Sequence, residues 1–103
     1  MIRDIDYEIA EKVMGITKTL PYSSDFEAAR MVESEIWRRG LYAEYVFALF
    51  CVTTEHDPKS SEAVVRWERG LSDLEYFHMV NASPYERCKA ALIAIDCAPA
   101  SAL

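Results

Sequence analysis

The sequence predicts an α/β (α+β) protein: a three-layer α/β/α sandwich around a small antiparallel sheet of about three strands, in the order α-α-β-β-β-α. Three observations carry this expectation. Leu41 to Thr54 is apolar on both alternating faces, interrupted only by Glu44, and is rich in aromatic and β-branched residues. A strand apolar on both sides needs a layer over each face. Flanking segments carry helix-start signals, and short polar turns separate the remaining apolar runs, which implies antiparallel pairing.

The elements follow in order. Asp4 to Met14 reads as a first helix, capped by Asp4 or Asp6 and stopped at Gly15, with Ile2, Ile5, Ile9, Val13 and Ile16 in one stripe. A loop carries Pro21. Ser24-Asp25-Phe26-Glu27 is a capping box, and the second helix runs from it to about Arg39, ahead of Gly40. Ala28, Ala29, Val32 and Ile36 form its buried stripe, with Met31 and Trp37 beside it.

Leu41 to Thr54 is then the central strand. Fourteen extended residues would span roughly 46 Å, against a diameter of roughly 33 Å for a compact chain of this length, so its ends project or it bends at a bulge. After the turn Glu55 to Ser61, Ala63 to Arg69 is a second strand. Leu71 to Val80 alternates as a third strand, with a short helix over Leu71 to Phe77 as the rival reading. Ser83 caps the last helix, Pro84 takes its first position, Glu86 completes the box, and Cys88, Ala91, Leu92 and Ile95 make its stripe. One domain over 1–98 and a frayed tail at 99–103, beyond the break at Pro99, are expected.

Three segments, in order, resemble the phage ABA sandwich domain, a family of small phage and prophage proteins. They are Ile9-Ala10-Glu11-Lys12-Val13-Met14-Gly15, Pro21-Tyr22-Ser23-Ser24-Asp25-Phe26-Glu27-Ala28-Ala29, and Ala82-Ser83-Pro84-Tyr85-Glu86-Arg87-Cys88-Lys89-Ala90-Ala91-Leu92. The chain departs from the family pattern at Ile16, where Trp is usual. The resemblance implies an α/β/α sandwich and a viral or prophage origin. It implies no reaction, cofactor or catalytic residue.

Composition narrows the function classes. The net charge of −6 disfavours non-specific attraction to nucleic acid or an anionic membrane and suits a basic partner. The N-terminus has no apolar signal core, and no apolar run approaches the about eighteen residues of a membrane span. Cys51, Cys88 and Cys97 are odd in number and widely spaced, which is no disulfide framework and suits a cytosolic chain; with the origin that the resemblance implies, the expected place is the bacterial host cytoplasm. His56, His78 and these cysteines lack metal-ligand spacing, so no metal and no cofactor are expected. The glycines form no phosphate loop, and Cys88 sits on an apolar stripe unsuited to a nucleophile.

Two surfaces remain. An acidic and aromatic face of Met31, Glu33, Glu35, Trp37, Asp73 and Glu75 suits a protein partner. Alternatively, Arg66, Trp67, Arg69, Ser83, Tyr85 and Arg87 could hold a nucleotide by stacking and charge at a helix N-terminus. The expected function is that of a non-catalytic accessory protein acting by binding, an anti-defence (anti-CRISPR-like) inhibitor of a bacterial host complex. The alternatives are a sponge for a nucleotide second messenger and a structural or virion-associated protein; a homo-oligomer is left open.

Overall fold

Helices account for all the regular structure among the described residues, 2–97 of a computed structural model. The α/β/α sandwich is therefore corrected: there is no sheet among these residues, and the three expected strands are helices. Helix α1 (Asp4–Glu8) continues without a break into a π-helical segment, Ile9–Met14. It is followed by α2 (Phe26–Arg38), α3 (Tyr42–Thr54), α4 (Ser61–Glu68), α5 (Asp73–Val80) and α6 (Pro84–Cys97). The expected tail at 99–103 lies outside the described residues. No helix among those described is long and apolar enough to cross a membrane.

The reason for the correction is clearest at α3. A continuous apolar run has no period, so it fits a buried strand and a buried helix equally; length decides between them. As a helix, Tyr42–Thr54 spans only about 20 Å at 1.5 Å per residue, which fits inside the molecule's 40 × 32 × 21 Å extents. A helix that is apolar nearly all round belongs at the centre, surrounded by other helices. That is where α3 lies, packed against α6 above all, and also against α2, α4 and α5. Tyr45, Ala48, Leu49, Phe50 and Cys51 are buried. Glu55, in the left-handed conformation at φ 60°, ends the helix.

The expected strands at Ala63 to Arg69 and Leu71 to Val80 are α4 and α5 because serine caps open them. Ser60 Oγ accepts from Ala63 N at 3.1 Å. Ser72 and Glu75 form a reciprocal capping box, with Ser72 N donating to Glu75 Oε1 at 2.8 Å. The box expected at α6 is formed in the same way. Ser83 N donates to Glu86 Oε1 at 2.9 Å and Glu86 N to Ser83 Oγ at 3.1 Å. At α2 the cap is Asp25 rather than Ser24, its carboxylate accepting from Glu27 N at 2.9 Å.

The core joins Ile9 and Val13, the buried stripe Ala28, Val32 and Ile36 of α2, the inner face of α3, and Cys88, Ala91 and Ala94 of α6. The alanines let α6 lie close against α3. A second cluster under α4 holds Phe50, Cys51 and Ala63, with Phe47 and Trp67 packed on it. The N-cap of α1 is Arg3 rather than Asp4 or Asp6. Asp6, in the first turn, is wholly buried. Its carboxylate accepts from the Arg3 N-cap amide and from Ser23 N, both at 2.8 Å, and so ties the start of the chain to the loop before α2. Ile2 and Ile16, the ends of the expected apolar stripe, are exposed.

Candidate functional site: an aromatic groove over α3

A tight turn at Gly40, in the left-handed conformation with its N–H donating to Trp37 O at 3.0 Å, brings the end of α2 against the start of α3. Trp37 and Tyr42 meet there edge to face, with ring centroids 4.8 Å apart, and both are more than half exposed (65% and 54%). On one side of α3, Arg30, Glu33, Ser34 and Trp37 of α2 enclose a cleft of about 440 Å³ with Tyr42 and Tyr45. Next to it, a cleft of about 340 Å³ runs over Val46 and Leu49 to Trp67, Tyr76, Met79 and Val80. Glu33, Tyr42 and Tyr45 line both, so the two clefts adjoin and together make a groove along α3. Its floor is a helical stripe at i, i+3, i+4, i+7: Tyr42, Tyr45, Val46 and Leu49. Its walls are α2 and α5.

The one polar knot in this groove is internally satisfied. Tyr45 Oη donates to Glu33 Oε2 at 2.5 Å, and Arg87 Nη1 donates to the same oxygen at 3.0 Å. Burial, followed by the adjacent Glu33 carboxylate, pushes the Tyr45 phenol well above its usual range. Arg87 also donates through Nε to Ala82 O at 2.9 Å and through Nη2 to Val80 O at 3.1 Å, which locks the α5–α6 turn. Glu33 is therefore neutralised in place. Arg30 is the other charged side chain lining the groove, and it pairs with no carboxylate among the described residues.

The structure divides the acidic and aromatic set expected from the sequence. Glu33 and Trp37 line the groove. Met31 is exposed on α2 but lines neither cleft, and Glu35 is held by Arg38 and Arg39 at 2.6 and 2.9 Å. Those two guanidiniums hold the Glu35 carboxyl down at about 2, chiefly through their hydrogen bonds. Asp73 is exposed in the first turn of α5, on the same stripe as Tyr76 and Val80. Glu75 is turned inward, accepting from Ser72 N and from Arg66 Nη2 at 2.5 Å.

The alternative, nucleotide-directed set is not gathered into one cleft. Trp67 packs edge to face on Phe47, at 5.6 Å, and against Phe50. Arg66 is engaged by Glu75, Ser83 by the α6 capping box, and Arg87 by the contacts above. Arg69 lies exposed at the end of α4. Tyr85 lines a separate cleft with His56, Pro58 and Lys89, between the α3 end and α6. Among the described residues no group of three or more His, Cys, Asp or Glu side chains is placed to hold a metal ion.

Sequence reasoning missed Tyr42, Tyr45, Tyr76 and Val80 as groove residues because it read their segments as strands. Read at helical spacing, Tyr42-Tyr45-Val46-Leu49 would have shown the floor. Compared with family models, with curated proteins and with solved structures, the chain has no significant match.

Proposed function

We propose that this is a non-catalytic binding protein that docks an amphipathic helix of a partner protein in the groove over α3. The observation that carries the reading is the convergence of exposed aromatic and aliphatic side chains on that groove. Trp37, Tyr42, Tyr76 and Val80 are each more than half exposed, yet all line it. Contiguous exposed apolar surface of this kind marks interaction sites, and Trp and Tyr are the residue types that dominate binding energy. A groove with a helical floor and two helical walls accepts a helix through anchors at i, i+3/i+4 and i+7. Inhibition of a bacterial host complex by an anti-defence protein is one form such docking can take. The net charge of −6 favours a partner that is basic outside the anchoring stripe.

Selection of displayed peptides on the immobilised protein tests this. Enriched sequences should carry helical apolar spacing, and their binding should fall at least about tenfold in Trp37→Ala and Tyr42→Ala, two exposed positions whose truncation spares the core. No enrichment, or binding indifferent to both variants, would sink the reading. A nucleotide panel read by thermal shift is the counter-test. A stabilisation by a cyclic or ADP-ribose-type nucleotide that vanishes in folded Arg69→Ala would replace docking with nucleotide sequestration.

A further inference from the structure

Helix α5 has no buried residue. Leu74, Tyr76, Phe77 and Val80 are 65%, 63%, 62% and 63% exposed. Tyr76 and Val80 form a wall of the groove, whereas Leu74 and Phe77 do not line it. The groove and an unpartnered apolar ridge thus stand side by side on one molecule. Adjacent complementary features are the condition for an isologous interface, in which each copy gives its ridge and receives its partner's across a two-fold axis.

The charges select the same occupant. The groove's uncompensated charge is Arg30, and Asp73, in the first turn of α5, stands one turn before Phe77, between the ridge and the groove wall. Neither side chain is paired among the described residues, so each is free to meet a charge of the other sign. A carboxylate beside apolar anchors at helical spacing is what an aromatic groove with one free arginine accepts, and α5 displays it. Extent is consistent as well. Trp37, Tyr42, Tyr76 and Phe77, each more than half exposed, at about 150–250 Å² each offer roughly 500 Å². With Leu74, Val80 and the groove rims this approaches the about 800 Å² per partner of a stable interface.

We infer that the protein pairs with a second copy of itself, α5 of each chain lying in the α3 groove of the other, with Phe77 as the anchor and Asp73 facing the partner's Arg30. Pairing closes the groove, so the dimer is the resting form and partner docking requires its dissociation. This regulatory consequence rests on the docking reading; the dimer itself does not.

Sedimentation of the full chain from low micromolar to millimolar concentration should show the mass rising from one chain to two. Phe77→Asp, at an exposed position, should remain monomeric with an unchanged far-ultraviolet spectrum. Arg30→Asp and Asp73→Arg should each weaken association roughly tenfold, and the two together should restore it. A monomer at every concentration overturns the proposal. So does a dimer indifferent to Phe77→Asp, and so does a double charge swap that fails to restore association. Peptides selected on the groove separate the two readings, because Phe77 does not line it. If they bind monomeric Phe77→Asp at least as tightly as the native chain, docking stands whatever the fate of the dimer. A dimer that forms while no peptide is ever selected leaves self-association standing and removes docking.

Discussion

The three thiols differ in environment more than in chemistry. Cys51 and Cys88 are buried, and burial pushes their thiols up to about 11 and about 12. Only the thiolate is an effective nucleophile, so both are inert at neutral pH, whereas Cys97 is exposed. An aromatic disulfide reagent should therefore modify one thiol rapidly in the native protein and the other two only on unfolding; three fast thiols would mean that the core does not close around α6. Glu35 makes a second residue-scale case. Its folded carboxyl is held down at about 2, against about 4.5 for an ordinary glutamate, so its ion pairs with Arg38 and Arg39 stabilise the fold above about pH 4.5. That contribution is lost as the pH falls from 4.5 towards 2. Glu35→Gln should lower stability near neutrality and narrow the difference between about pH 6 and about pH 3, as measured by chemical denaturation. Arg39 extends the effect beyond α2, since its guanidinium also donates to Val13 O at the end of the π-helical segment.

At the scale of elements, side-chain caps open α2, α4, α5 and α6, but only some of these starts were read from the sequence. Ser83-Pro84-x-Glu86 was read correctly, and the structure forms its box. Ser72-x-x-Glu75 carries the same signature and forms the same box, but the alternation of Leu74, Tyr76, His78 and Val80 drew the reading towards a strand. Helix α3 offered no such signal, since Leu41 at its N-cap makes no side-chain hydrogen bond. Its β-branched and aromatic content favours strands in general, and here tertiary burial overrides that preference. Which residues α3 buries was only half visible. Phe50 and Leu49 are core, whereas Tyr42 and Ala43 face outward. Phe50→Ala should cost about 3–5 kcal/mol, because Phe50 is fully buried against Phe47 and Trp67, while Ala43→Ser should be near neutral. Equal losses at the two positions would contradict the placement of the helix.

For the whole molecule, a helical spectrum is the deciding observation. Far-ultraviolet circular dichroism should show the paired minima of a mostly α-helical protein; a single broad strand-like minimum would restore the sandwich that the sequence suggested. The layered reading was wrong about the backbone of Leu41 to Thr54 and about cover on both of its faces. Tyr45, Ala48, Leu49, Phe50 and Cys51 are buried, while Tyr42 and Ala43 are exposed. An unbroken apolar run looks the same in a sequence whether the chain beneath is coiled or extended. The groove was harder still to foresee. It is assembled from α2, α3 and α5, and its residues become neighbours only when those helices are correctly identified and packed.

The dominance of the α3–α6 contact has a consequence for how the protein is made. The ribosome releases the most apolar helix of the chain well before the helix that covers it, with α4 and α5 in between. At about 5–20 residues per second, α3 waits on the order of seconds for its main covering helix. During that interval the nascent chain lacks the α6 residues Cys88, Ala91 and Ala94 that share a core with Ala48. Chains stalled or truncated before Pro84 should therefore collect on chaperones or aggregate, while completion of α6 commits the molecule to its fold.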